Sequence, residues 1–165
     1  MNIGRRHLGV LRRLHDRLEG TDVRWAITGS LHLALRGLPV EVNDIDVRTD
    51  EAGAYEMQRL FRPYVTRPVA LRCDEAIRSH YGQLLIDGIK VDVMGDVELR
   101  DEQGNWQATP ELASETESVD VGGLRIPVRS MESEYQAYER LGRVEKARLV
   151  RAWLERQGGE QSSAA

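Results

Sequence analysis

Ile27-Thr28-Gly29-Ser30 and, thirteen residues later, Asp44-Ile45-Asp46-Val47 form the stretch of sequence that decides the fold. Residues two apart in a strand share a face, so Asp44 and Asp46 project together while Ile45 and Val47 turn into a core. No lysine or arginine separates the two acids, and neighbouring carboxylates repel each other unless a cation joins them. An oxygen-only ligand set suits a hard ion, Mg²⁺ above all. Upstream, Gly29 lets the backbone come close to a ligand. Ser30 opens a short helix whose free amides and positive dipole end favour an anion. A phosphate seat beside a magnesium seat points to chemistry on a nucleoside triphosphate.

Working outward, residues 4–19 read as an amphipathic helix with Leu8, Leu11, Leu14 and Leu18 on one side, arginines on the other and Gly20 as its stop. Residues 23–28 form a buried strand, 30–36 a short helix closed by Gly37, and 44–48 a second strand. A helix over 51–62 has Thr49 or Asp50 as its cap and Pro63 just beyond it. Asp87-Gly88 suits a type I′ turn, so 81–86 and 89–94 make a hairpin. In Ile89-Lys90-Val91-Asp92-Val93-Met94 the alternation puts Asp92 and Lys90 on the polar face, and the hairpin brings Asp92 to the sheet beside Asp44 and Asp46. A second hairpin turns at Gly122-Gly123, between 118–121 and 124–128, and two helices over 130–141 and 144–156 flank Gly142. The stretch 158–165 offers nothing to bury and reads as a disordered tail. The expected architecture is a single α/β (α+β) domain over residues 1–157, a mixed sheet flanked by helices with two helices at its C-terminal end.

Gly29-Ser30, then Asp44-Ile45-Asp46, then Asp92 on a later strand resembles the DNA polymerase β-like nucleotidyltransferase superfamily over roughly residues 23–94. The resemblance implies transfer of a nucleoside monophosphate from an NTP, ATP first, to an acceptor hydroxyl. It makes Asp44, Asp46 and Asp92 the catalytic metal ligands, with Asp92 sharing a second Mg²⁺ or acting as base, and Gly29 and Ser30 the nucleotide contacts. Two metals about 4 Å apart stabilise the attacking and leaving oxygens of an in-line displacement. Small-molecule acceptors are implied by similarity to aminoglycoside and lincosamide nucleotidyltransferases. A protein tyrosine or a tRNA end is implied by similarity to toxin–antitoxin and abortive-infection enzymes. The remaining alternative is an inactive nucleotide-binding module. The Lys-Asp motif that many members carry on a late helix is not reproduced, because Ala147 follows Lys146.

At 165 residues and 41% hydrophobic content the chain can bury a substantial core. A net charge of −4 argues against coating nucleic acid by bulk electrostatics. Cys73 is the single cysteine and excludes an internal disulfide, while His7, His15, His32 and His80 are too scattered for a structural zinc site. No apolar run approaches membrane length and no signal-peptide pattern opens the chain, so a cytoplasmic protein without membrane association is expected. Between residues 96 and 120 eight acids stand against Arg100 alone. They read as a solvated face, or as an acidic rim that attracts a cationic acceptor. Basic surface for a polyanion is expected on the first and last helices, from Arg5, Arg12, Arg13, Arg143, Arg148 and Arg151. Lys90 neutralises the acids or meets a triphosphate oxygen. His32 and Arg36 read as surface residues, His80 as structural, and Trp106 as the cover of a core edge.

Overall fold

Helical and alternating periodicities resolve, in the computed structural model, into α1 (Arg5–Leu18), β1 (Trp25–Thr28), α2 (Gly29–Leu35), β2 (Ile45–Thr49) and α3 (Glu51–Leu60). These are followed by β3 (Val65–Cys73), β4 (Ile77–Ile86), β5 (Ile89–Arg100), β6 (Trp106–Ala108), α4 (Leu112–Glu115), β7 (Thr116–Val121), β8 (Leu124–Arg129), α5 (Met131–Arg140) and α6 (Val144–Ser163). The structure describes residues 3–163. The span read as one domain falls into two compact units, one ending at Arg129 and the other starting at Ser130.

In the first unit the strands form one mixed sheet in the order β3-β4-β5-β2-β1-β8-β7, with β6 added beside β5. β1 and β2 are antiparallel, whereas β2 pairs with β5 and β1 with β8 in parallel. The core lies on one face of this sheet. Val10, Leu11, Leu14 and Leu18 of α1 pack there with Ile27, Ile45, Val47, Val91 and Val93. Each such side chain stabilises the fold by about 1.5–3 kcal/mol. α3 joins them. Asp50 caps it by accepting from the Gly53 amide at 2.7 Å, and a Cβ on Gly95 of β5 would collide with the Asp50 carbonyl and with Ala54. With Ile45 and Val47 of β2 and Ile89, Val91 and Val93 of β5 committed to that core, Asp46 and Asp92 face the other way.

The hairpin turn forms at Asp87 (φ 50°) and Gly88 (φ 76°), the left-handed pair a type I′ turn needs. Its strands run further than the alternation suggests, and β3, β6 and α4 have no counterpart in the periodicity reading. β3 is an edge strand that carries Pro68 and exposes Thr66 and Arg67. It is held by its ladder to β4 rather than by a buried face, so no hydrophobic pattern marks it. α6 continues through 158–163, the first part of the stretch read as a tail, while Ala164 and Ala165 lie outside the described residues. Extending a formed helix costs far less than starting one, so Gly158 and Gly159 do not stop it. Among the described residues no helix is long and apolar enough to cross a membrane.

Candidate functional site

Strand register assembles the site. Asp46 of β2 is the register partner of Asp92 of β5 on one side and of Thr28 of β1 on the other. Gln83 of β4 extends the row beyond Asp92, and Arg67 of β3 extends it beyond Gln83. Chain leaving β1 at Thr28 therefore turns into α2 immediately beside Asp46. Gly29 makes that turn at φ 71°, and a Cβ there would collide with the Asp46 carboxylate. Glycine is required twice over, by the backbone angle and by the space. Ser30 follows as the second residue of α2. Asp44 stands one residue ahead of β2, and the His7 ring donates from Nε2 to the neighbouring Asn43 carbonyl at 2.8 Å, tying that approach to α1.

Lys90 lies among the acids. Its Nζ is 3.3 Å from Asp44 Oδ2 and 3.7 Å from Asp92 Oδ2. The Asp92 and Asp44 carboxylates hold this ammonium's pKa above the usual lysine value. The other Asp92 oxygen, Oδ1, accepts from the Tyr81 hydroxyl and, at 3.3 Å, from Gln83 Nε2, which also donates to Tyr81 Oη at 2.6 Å. Burial and the bond to Asp92 push the Tyr81 phenol up, so it stays a donor at neutral pH. Tyr81 and Gln83 are the site residues that sequence reasoning missed. The available signal was their period-two spacing on the strand facing Asp92.

The donor chemistry fits a hard divalent cation, since Asp46 and Asp92 offer carboxylate oxygens from adjacent register positions. Among the described residues, however, no three His, Cys, Asp or Glu side chains are gathered closely enough to hold a metal ion by themselves. Lys90 takes up part of the space between Asp44 and Asp92. A cation here needs ligands from elsewhere, which is how Mg²⁺ commonly uses substrate phosphates.

Two cavities lie along the same strands, one away from the row and one at its β3 end. One, of 470 Å³, lies at the far end of β2 and is lined by Arg24, Arg48 and Arg129 with Asp96, Glu98 and Glu115. Among its charged side chains, Arg48, Arg129, Glu98 and Asp96 have protein partners. Arg129 meets Glu115 at 3.6 Å, Arg48 donates to Thr109 Oγ1 at 3.2 Å, Arg78 donates to Glu98 at 2.6 Å, and Asp96 accepts from the Glu51 amide at 3.2 Å. The other, of 370 Å³, lies beside Tyr81 and Met94 and carries Arg67 and Arg72. These two arginines are a basic surface that reading the helices alone did not find.

Elsewhere the structure corrects one expectation and answers two. His32 is fully buried rather than superficial, and Arg36, 12% exposed, donates to it at 3.1 Å and pairs with Glu117. A short helix after a buried strand has few outward positions, and both residues point under β7 and β8. His80 contacts Tyr55 and Glu51. Trp106 is sandwiched by Arg78 and Arg100 against the edge of β5. Lys146 lies 5.6 Å from the Tyr138 ring within the second unit. Of the arginines named for polyanion binding, Arg13 lies on α1, the helix that covers the sheet face opposite Asp46, and donates to the Tyr64 hydroxyl just ahead of β3.

The sequence model of the family described as aminoglycoside-2''-adenylyltransferase matches residues 10–152. Comparison with curated proteins gives no match. A Thermotoga maritima protein, TM1012, provisionally described as a nucleotidyltransferase, is similar at 51% identity and a TM-score of 0.79, over 90% of this chain and 92% of that one. ANT(2'')-Ia, solved with adenylyl-2''-tobramycin, is similar at 12% identity and a TM-score of 0.62, over 96% of this chain and 98% of that one. The lincosamide adenylyltransferase LnuA, solved with lincomycin, is similar at 14% identity and a TM-score of 0.51, over 82% and 86%. At those identities the last two show a shared fold.

Proposed function

Since the chain belongs to the aminoglycoside-2''-adenylyltransferase family, we propose that it transfers a nucleoside monophosphate from an NTP, ATP first, to a hydroxyl of a small-molecule acceptor, with Mg²⁺. The observation that carries this reading is the register pair Asp46–Asp92 with the Gly29 turn closed against the Asp46 carboxylate. Asp46 and Asp92 would hold the metal, with Asp44 beside them. Gly29 and Ser30 would meet the phosphates with backbone amides and a hydroxyl. The bound metal neutralises charge on the phosphates and on the attacking and leaving oxygens. In the reaction the acceptor oxygen forms a bond to the α-phosphorus, the bond from that phosphorus to the bridging oxygen breaks, and pyrophosphate leaves. The hydroxyl proton passes to Asp92 or to solvent. Tyr81 and Gln83 fix Asp92 Oδ1, so that Oδ2 is the oxygen turned toward the reacting groups. Catalysis is then mainly positioning and charge stabilisation.

A small-molecule acceptor is supported by the aminoglycoside adduct and the lincosamide with which ANT(2'')-Ia and LnuA were solved. Labelled ATP with Mg²⁺, offered with aminoglycosides, bulk tRNA or candidate partner proteins, tests the reading. Label on a small molecule is expected. Label only on tRNA or protein overturns the acceptor, and calorimetry showing equal ATP affinity with and without Mg²⁺ overturns the metal site.

A further inference from the structure

We propose that Lys90 is a resident counter-cation of the carboxylate cluster, one that a divalent metal displaces only when a triphosphate arrives to receive the freed ammonium. This rests on the metal-dependent reading of the same site. Three acids and one base form a two-by-two block on neighbouring strands: Asp44 beside Lys90, and Asp46 beside Asp92. Lys90 Nζ reaches Oδ2 of both Asp44 and Asp92, at 3.3 and 3.7 Å, so it stands between two oxygens that a metal would use. The other oxygen of Asp92 is engaged by Tyr81 and Gln83, which are fixed to each other and to the sheet. A metal taken up at Asp92 Oδ2 therefore meets Lys90 as a competing cation.

Exposure makes the exchange feasible. The Lys90 side chain is 41% exposed and that of Asp92 is 12% exposed, so the ammonium can swing on its flexible stem while the carboxylate stays in place. The Gly29 turn lies across Asp46 on the β1 side, and a triphosphate seated there would bring anionic oxygens to this block. Lys90 would then leave the carboxylates for the phosphates, and a divalent cation in its place would offset more of the carboxylate charge than the single ammonium does. The arrangement couples metal binding to nucleotide binding. It keeps the cluster closed to free metal and opens it to a metal–nucleotide complex.

The test is Mn²⁺ binding to the full chain, followed by paramagnetic resonance, with and without a non-hydrolysable ATP analogue. The proteins are wild type, Lys90→Met and Lys90→Arg. Removing the ammonium should tighten nucleotide-free Mn²⁺ binding by about tenfold or more, because an attractive site loses its competing cation. The same variant should raise KM for Mg·ATP, and Lys90→Arg should restore wild-type behaviour in both. A role limited to holding the strands together moves neither quantity in this direction. Nucleotide-free Mn²⁺ affinity that is unchanged or weaker in Lys90→Met overturns the proposal and leaves the metal site standing. Mn²⁺ that binds none of the proteins, even with nucleotide, overturns the metal site and this proposal together.

Discussion

β2 and β5 carry two charged regions on the same side of the sheet, and the two are built on opposite plans. At one end Asp44, Asp46 and Asp92 gather on adjacent strands, with Lys90 between Asp44 and Asp92. At the other end Arg48 and the cavity around it are almost self-contained. Arg129 lies against Glu115, Arg48 against Thr109, Glu98 against Arg78, and Asp96 against the Glu51 amide. Charges that satisfy one another hold a fold in one arrangement, whereas carboxylates gathered on adjacent strands repel unless a cation joins them. Two residues of one strand, Asp46 and Arg48, thus stand in different electrostatic surroundings.

The largest expected effect breaks the acid end. Asp46→Asn or Asp92→Asn should each lower single-turnover transfer by about 10³-fold or more, since a metal ligand acts most strongly in the transition state. Stability should stay within about 1 kcal/mol, because the lost charge is one of three that repel. Urea unfolding provides the control, and a large drop in midpoint would assign these acids to the fold.

Next comes the arginine end, where the pattern should invert. Arg129→Met leaves Glu115 without its guanidinium in a largely buried setting and should cost about 3 kcal/mol in stability. Affinity for Mg·ATP should hardly change. An Arg129 variant that folds normally yet cannot bind nucleotide would erase the distinction between the two ends.

Gly29→Ala probes the seam. A positive φ on a residue with a Cβ costs about 1–2 kcal/mol, and the Cβ also presses on the Asp46 carboxylate. We expect a modest loss of stability and a loss of nucleotide affinity of about tenfold, read by calorimetry. The smallest effect is expected from Tyr81→Phe, which removes one donor from Asp92 but leaves Gln83 in place. Turnover should fall about three- to tenfold, in line with one charge-assisted hydrogen bond. A fall as deep as that of Asp92→Asn would make Tyr81 a reacting group rather than a positioning one.

The acid row could be read from the chain because its signals are local. Gly29-Ser30, Asp44-Ile45-Asp46 and the alternation around Asp92 each place a side chain by backbone period alone, and the Asp87-Gly88 turn fixes the hairpin register. The arginine cavity gave no such signal. Arg48 and Arg129 come from two separate strands, Arg24 from the loop ahead of β1, and Glu115 from a single-turn helix between strands. Their meeting depends on the strand order, which no local pattern encodes. The eight acids between 96 and 120 show the same limit. Composition marks them as one block, but the fold gives Asp96 to a helix amide, Glu98 and Glu115 to arginines and Glu117 to Arg36.

The sequence by itself determined which residues face which way: period-two strands set Asp46 and Asp92 on one side and the valines on the other, and glycine at position 29 marked a backbone turn. Only the tertiary structure decided who stands beside whom. The parallel pairing of β2 with β5 put Asp46 next to Asp92 and Lys90 between Asp44 and Asp92, and the strand order set Arg129 against Glu115 and Arg36 against Glu117. Facing is fixed by the covalent geometry of successive residues, whereas neighbourhood is fixed by long-range strand pairing and the packing of the whole core.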